Sequence, residues 1–204
     1  MRAFTSPYDE GNSTKLVIRP CYTYELSLSK KCSIEDLLGE WLPVRRQELK
    51  RLEKLGVEVR KSSDVALLLD AVSRSVFEGE KGKRDEYLEY VVPLYNRLEQ
   101  LGEIEVWGCY GTNQLLSVSM FSTMGRRKYF LYGSSFAEGK SLNSQTLNIF
   151  QWVQRNISEC TNPHEIVLDF EGANNPVRSW YKGAFGCKLR TYFGIESEVS
   201  LDER

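Results

Sequence analysis

Apolar positions along the chain follow two alternating periods, and the switches between them mark the elements. After Ser33, the residues Ile34, Leu37, Leu38 and Trp41 recur every three or four positions, which is the spacing of one helical face. Ser33 and Asp36 stand at capping-box distance, Gly56 supplies a stop, and Pro43 is expected to kink or split this helix. VEVRKSSD then alternates apolar and charged residues as a half-buried strand does, and Ser63 or Asp64 is placed to cap the helix that begins at VALLLDAVSRSVF. Past a charged break, EGEKGKR, a further helical face gathers Tyr87, Leu88, Val91, Leu94, Tyr95 and Leu98, and Gly102 ends it.

Three strand-like runs follow with no helical interruption: EIEVWGCYG, QLLSVSMFSTM and KYFLYGSSF, separated by Gly111, Asn113 and Gly125. They predict an antiparallel meander. After it come a loop AEGKS, a helix from about Leu142 to Ser158, the strand EIVLDF, a short helix carrying WYKG, and a final strand pair around KLRTYFGIESEV. At the other end, KLVIRPCYTYELSL reads as extended with a break at Pro20, and the first 14 residues, rich in Ser, Pro, Gly, Asn and Asp, read as a mobile terminus or a segment that needs other contacts to order it.

The bulk properties narrow this string of elements. A chain of 204 residues with 41% apolar side chains is long enough for one substantial core and short for two. Its 27 basic and 28 acidic side chains balance, so a nucleic acid would need a local patch rather than a whole-molecule field. The apolar runs, Val65 to Leu69 among them, fall far below the ~20 residues of a membrane span, and the start MRAFTSPYDEGNST lacks a signal-peptide core. A cytoplasmic protein without a membrane span is expected. Five scattered cysteines and one histidine, His164, offer no close metal-ligating pair. No metal is expected, and Cys109 and Cys187 are read as packing thiols.

The order of strands and helices is that of an α+β protein with a mixed sheet, an antiparallel meander and a central helix that connects a parallel strand pair, and it resembles the GNAT N-acyltransferase fold, which implies that this pair is splayed. The resemblance spans roughly Val57 to the C-terminus, which divides the chain into residues 1–55, a strand and helix leading into the core, and residues 56–204. It is carried further by DFEGANNPVRSWYKGAFG, Asp169 to Gly186, where Asn174 is followed seven positions later by Tyr181 and then by Phe185-Gly186. With FQWVQRN, LDFEG and WYKGAFG in sequence, the chain is similar to the C-terminal half of the Fem-type aminoacyltransferases and relatives with a BioF2-like acetyltransferase domain.

That resemblance implies transfer of an acetyl, acyl or aminoacyl group to an amine acceptor, a small molecule or a peptide. The splayed pair would be KYFLYGSSF and EIVLDF, with backbone N–H groups of Gly133, Ser134 and Ser135 facing the donor. Tyr181 would protonate the leaving group, Lys182 would stabilise developing charge, and Asn174 would contact the donor's amide-bearing arm. Of the two carboxylates beside Phe170, Glu171 is the expected base, because Asp169 shares a face with Val167 and is the better placed to be buried and paired. An acyl-CoA donor would put its phosphates on Lys140 and the following helix N-terminus, although FAEGKSLNSQT holds a single glycine, Gly139, and is atypical for that loop. Fem-type enzymes lack the loop and draw on aminoacyl-tRNA. Arg45 and Arg46 head a basic stretch, VRRQELKRLEKLGVEVRK, that reads either as a face meeting a phosphate-bearing substrate or tRNA or, because Glu48 and Glu53 interrupt it and offer salt-bridge partners, as a solvated helix face. Fem-type enzymes are built from two such folds, so a homodimer or partner subunit would supply the second here; the alternative is an inactive GNAT-like module that binds a nucleotide-bearing ligand or a protein.

Overall fold

In the computed structural model, residues 14–28, 33–62, 65–75, 81–112, 114–159 and 166–199 are described. The chain runs β1 (Thr14–Ser27), α1 (Ile34–Glu40), α2 (Pro43–Lys54), β2 (Glu58–Ser62), α3 (Val65–Ser75), α4 (Lys81–Gln100), β3 (Ile104–Tyr110), β4 (Leu115–Ser122) and β5 (Arg127–Ser135). It continues through α5 (Ala137–Leu142), α6 (Gln145–Glu159), β6 (Val167–Asp169), α7 (Pro176–Gly183) and β7 (Lys188–Val199). The first thirteen residues, Cys32, the Ser63/Asp64 cap, Asn113, Cys160 and His164 lie outside the described residues.

Local signals act as their chemistry requires. The Ser33 hydroxyl accepts from the Asp36 N–H at 3.1 Å and caps α1. Pro43, which has no N–H to lose at a first helical position, opens α2 and splits the expected helix in two. Gly56 and Gly102 close α2 and α4 at φ 64° and 67°.

Among the described residues one seven-stranded sheet forms the frame, in the order β2-β3-β4-β5-β6-β1-β7. Its pairs are antiparallel except β5 with β6. The N-terminal strand therefore enters the sheet between the last two. On one face, α1, α2, α6 and α7 enclose Leu37, Trp41, Leu52, Trp152 and Phe185; on the other, α3 and α4 cover Ala71, Val106, Val118 and Met120. Trp41 meets Phe185 edge-on at 4.8 Å and Phe121 stacks on Trp152 at 4.6 Å, so truncating any of these rings would cost about 3–5 kcal/mol.

Five expectations are corrected. Pro20 does not break β1, because β6 pairs only with Glu25 to Ser27 and the missing N–H falls on the side of β1 that no strand occupies. The charged break is shorter than read, since α4 begins at Lys81, and Leu94 is exposed rather than on its packed face. The presumed loop AEGKS is helix α5. The expected terminal strand pair is a single strand, β7, whose partner is β1.

Candidate functional site

The parallel pair is held over three positions only: Arg127 opposite Val167, Lys128 opposite Leu168 and Tyr129 opposite Asp169. Beyond them the strands part, for reasons visible on both. β5 carries a bulge, with Phe121 opposite Phe130 and Met120 opposite Tyr132, that bends it locally. On the other strand, the Phe170 and Ala173 N–H groups donate to the Tyr24 and Tyr22 carbonyls at 2.9 and 2.6 Å, so the chain after β6 follows β1 instead of β5. Glu171 completes the departure at φ 50°, a left-handed conformation that a non-glycine residue adopts at a cost of about 1–2 kcal/mol.

The gap is a cleft of ≈ 530 Å³ lined by Phe130 to Gly133 on one side, Phe170 to Gly172 on the other, and Gln145, Tyr181 and Lys182. A side chain at Gly133 would collide with the Gln145 amide and the Phe130 ring, which pack against its bare α-carbon. A second concavity of ≈ 680 Å³ shares Glu171 and Gly172 with the first and is walled by Thr23, Glu25, Arg127, Asp169, Arg190 and Tyr192, among others. Asp169 and Phe170, being neighbours on an extended chain, face opposite sides of the sheet. Glu171 thus stands where the two spaces meet.

Electrostatics separate the two carboxylates. Asp169 is 6% exposed and fully engaged: it accepts from Thr23 Oγ1 at 2.5 Å, from Arg127 Nη1 at 2.8 Å and from the Glu171 N–H at 2.8 Å. Glu171 is raised above the ordinary glutamate value, first by burial and then by the neighbouring Asp169 charge, with the Lys182 ammonium pulling the other way. Lys182 Nζ donates to the Glu171 carbonyl, and to that of Gly172 at 2.8 Å, and so braces this turn.

Tyr181 packs edge-on to Phe185 at 5.2 Å. Its hydroxyl oxygen is shielded from solvent and makes no hydrogen bond. Burial pushes the phenol up to about 12, against the opposing pull of the Arg45 charge and the nearby Thr146 hydroxyl. Arg45 explains the surroundings: it is 1% exposed, lies 4.2 Å over the Tyr181 ring and bonds Glu48 Oε2 at 2.6 Å. Glu48 in turn accepts from Thr146 Oγ1 and Asn143 Nδ2, each at 2.8 Å.

The structure therefore brings together Gly133, Glu171, Tyr181 and Lys182 and leaves other predicted residues elsewhere. Arg45 is corrected: it lies under the aromatic helix end, not on a solvated phosphate-binding face. Arg46 borders a separate groove on α2 with Lys50 and Phe150. The Ser134 hydroxyl donates to the Ala71 carbonyl, away from the cleft, and Ser135 does not line it. Asn174 accepts from the Tyr22 N–H at 3.0 Å and so anchors the loop to β1.

The segment expected to cradle phosphate beside Lys140 is helix α5, packed on β4. A side chain on Gly139 would overlap the Leu116 carbonyl, so this glycine serves the packing of α5 on β4. At the start of α6 the Thr146 and Leu147 N–H groups are already bonded to Asn143 and Ser144 carbonyls. Lys140 is exposed on α5 and outside the cleft. Sequence reading missed Gln145, Thr146 and the buried side of Glu48. Among the described residues no cluster of His, Cys, Asp and Glu could hold a metal ion, and no helix is long and apolar enough to cross a membrane. Cys109 and Cys187 are both pushed up by burial, Cys109 to about 12, and are neutral thiols.

The seven-stranded α+β sheet with its splayed parallel pair is GNAT-like in arrangement. Solved structures share it at a distance. FemX superposes with a TM-score of 0.60 at 14% identity, over 82% of this chain and 59% of that one. A conserved protein of unknown function from Bacteroides thetaiotaomicron VPI-5482 gives 0.60 at 10% identity, over 88% and 62%. The C-terminal DUF2156 domain of a protein assigned as a lysylphosphatidylglycerol synthetase in Agrobacterium fabrum gives 0.53 at 13%, over 88% and 61%. These identities speak for the fold alone, and the chain spans about three fifths of the length of those structures. No family model matches the chain, and no curated protein does.

Proposed function

We propose that this chain is an N-acyltransferase that moves an acyl or aminoacyl group from an activated ester or thioester to an amine. The observation that carries the reading is the parting of β5 and β6 after Tyr129 and Asp169, with Glu171, Tyr181 and Lys182 around the gap. The donor's carbonyl lies in the cleft beside Gly133, where main-chain N–H groups of β5 without a strand partner meet the oxyanion. The amine arrives from the second concavity, past Glu171. Its nitrogen forms the new C–N bond, Glu171 takes its proton, the bond from the acyl carbon to oxygen or sulfur breaks, and the Tyr181 hydroxyl, which must first turn out of its solvent-shielded position toward the cleft, protonates the departing atom. Both groups start in the right form, because Glu171 is a stronger base than an ordinary glutamate and Tyr181 stays protonated at neutral pH. Lys182 fixes the turn that carries Glu171 and keeps positive charge beside the cleft.

The test is acylation of hydroxylamine and of a primary-amine panel, with aminoacyl-tRNA and acetyl-CoA offered separately, read by mass spectrometry beside thermal stabilisation by each donor. Product formation with one donor, lost in Tyr181→Phe, is the expected result. Neither product nor stabilisation with any donor would leave a binding module and overturn the reading.

A further inference from the structure

The sheet ends at β7, and among the described residues no strand covers its outer edge. Pro20 stands opposite Phe193 and has no N–H to give, so the two form a non-hydrogen-bonded pair of the β1–β7 ladder. The other side of β1 agrees. Tyr22 donates to Asn174 at 3.0 Å, and the Tyr22 and Tyr24 carbonyls accept from Ala173 and Phe170, so these even-numbered residues turn their backbone groups away from β7. By alternation, Leu189, Thr191, Phe193 and Ile195 direct theirs to the open edge. Their side chains are also uncovered: Phe193 and Ile195 are each 69% exposed, and with Leu189, Leu16, Ile18 and Tyr22 they form an apolar patch on one face of the hairpin. Such a patch beside an open edge marks an interaction surface.

The order of charges along β7 says what fits it. KLRTYFGIESEV is basic at Lys188 and Arg190 and acidic at Glu196 and Glu198. Laid antiparallel on itself with Phe193 opposite Phe193, the strand sets Lys188 opposite Glu198 and Arg190, whose guanidinium also bonds Glu25 of its own chain at 3.3 Å, opposite Glu196. The same register sets Thr191 opposite Ile195, residues whose backbone groups both point outward. A shift of two residues in either direction loses one of the charge pairs. We propose that β7 pairs with β7 of a second copy of this chain about a two-fold axis at Phe193, joining the two sheets edge to edge. Opposite charges across the strands fix the register, and the two Phe193 rings cover each other's flanks. This pairing is independent of the acyl-transfer reading.

Sedimentation velocity of the full chain should show twice the chain mass. Phe193→Glu sets two carboxylates at the axis and should weaken association about tenfold or more, with an unchanged circular dichroism spectrum. Under mild oxidation Phe193→Cys should give a disulfide-linked dimer above the background of the unsubstituted chain, since opposed α-carbons of such a pair lie about 5.5 Å apart. Thr191→Cys should not, because its two copies lie about 13 Å apart along the ladder. A monomer at all concentrations, a dimer indifferent to Phe193→Glu, or Thr191→Cys linking as readily as Phe193→Cys would overturn the proposal.

Discussion

The Arg45 guanidinium lies 4.2 Å from the centre of the Tyr181 ring, and the salt bridge to Glu48 at 2.6 Å holds it there. A cation over an aromatic face is attracted by the ring's quadrupole, by about 2 kcal/mol when both are desolvated. Breaking this arrangement from the Arg45 side leaves the Glu48 carboxylate buried without its cation. Arg45→Ala should therefore lower unfolding stability by about 3–5 kcal/mol, while the double variant Arg45→Met with Glu48→Leu, which removes both charges, should recover most of the loss. Urea titrations of the single and double variants provide the check.

Glu171 predicts a pH dependence. Its carboxyl is raised above the ordinary 4.5 by burial and by Asp169, so the folded chain keeps this proton to higher pH than the unfolded chain does. Stability is then lost as pH rises from the ordinary glutamate range through the raised folded value. Glu171→Gln removes the charge and should flatten that part of the stability profile, gaining on the parent chain toward neutral pH and matching it in acid. Transfer activity should run the other way, rising through the same window in the parent chain and staying low in the variant. Thermal melts at stepped pH beside the rate profile distinguish the two effects.

Two glycines in helices should respond with opposite signs. Gly139 lies under the Leu116 carbonyl, and a β-carbon there meets backbone that cannot move aside, whereas Gly39 in α1 has open space around it. Gly139→Ala should cost about 1–3 kcal/mol or more by overpacking. Gly39→Ala should stabilise by about 0.4–1 kcal/mol, because it removes freedom from the unfolded chain only. Melting temperatures of the two variants measure both signs directly.

Much of the frame was legible from residue patterns, and the departures share a cause. Ser33, Pro43, Gly56 and Gly102 act through their own backbone chemistry, which a sequence carries locally. The parallel pair also followed from the order of elements, and its wedge from the resemblance to the GNAT fold. Arg45 and Glu48 were misread because charge was weighed ahead of position. Both share a helical stripe with Leu49 and Leu52, spaced i, i+3, i+4 and i+7, and all four are buried. That spacing was the available signal. Pairing of β7 with the N-terminal β1 had no such signal, since strand neighbours distant in sequence are set by the whole sheet. The helical AEGKS segment and the packing of Gly139 likewise depend on β4 lying beneath it.

Tyr181 separates catalysis from stability most cleanly. Its hydroxyl is buried and makes no hydrogen bond, so it contributes a desolvation cost with no bond to offset it. The ring itself holds the contacts to Phe185 and Arg45, which phenylalanine preserves. Tyr181→Phe should therefore leave the unfolding midpoint unchanged or slightly higher. If the hydroxyl serves the leaving group, the same substitution should slow transfer by about 10²–10⁴-fold, with the larger deficit for donors whose leaving atom is the more basic, and with little change in donor affinity. A pair of measurements decides it: a chemical unfolding curve and single-turnover rates with two donors of different leaving-group basicity. A destabilised variant would mean that the hydroxyl is bonded within the fold, and an equal deficit for both donors would assign it to positioning instead of proton transfer.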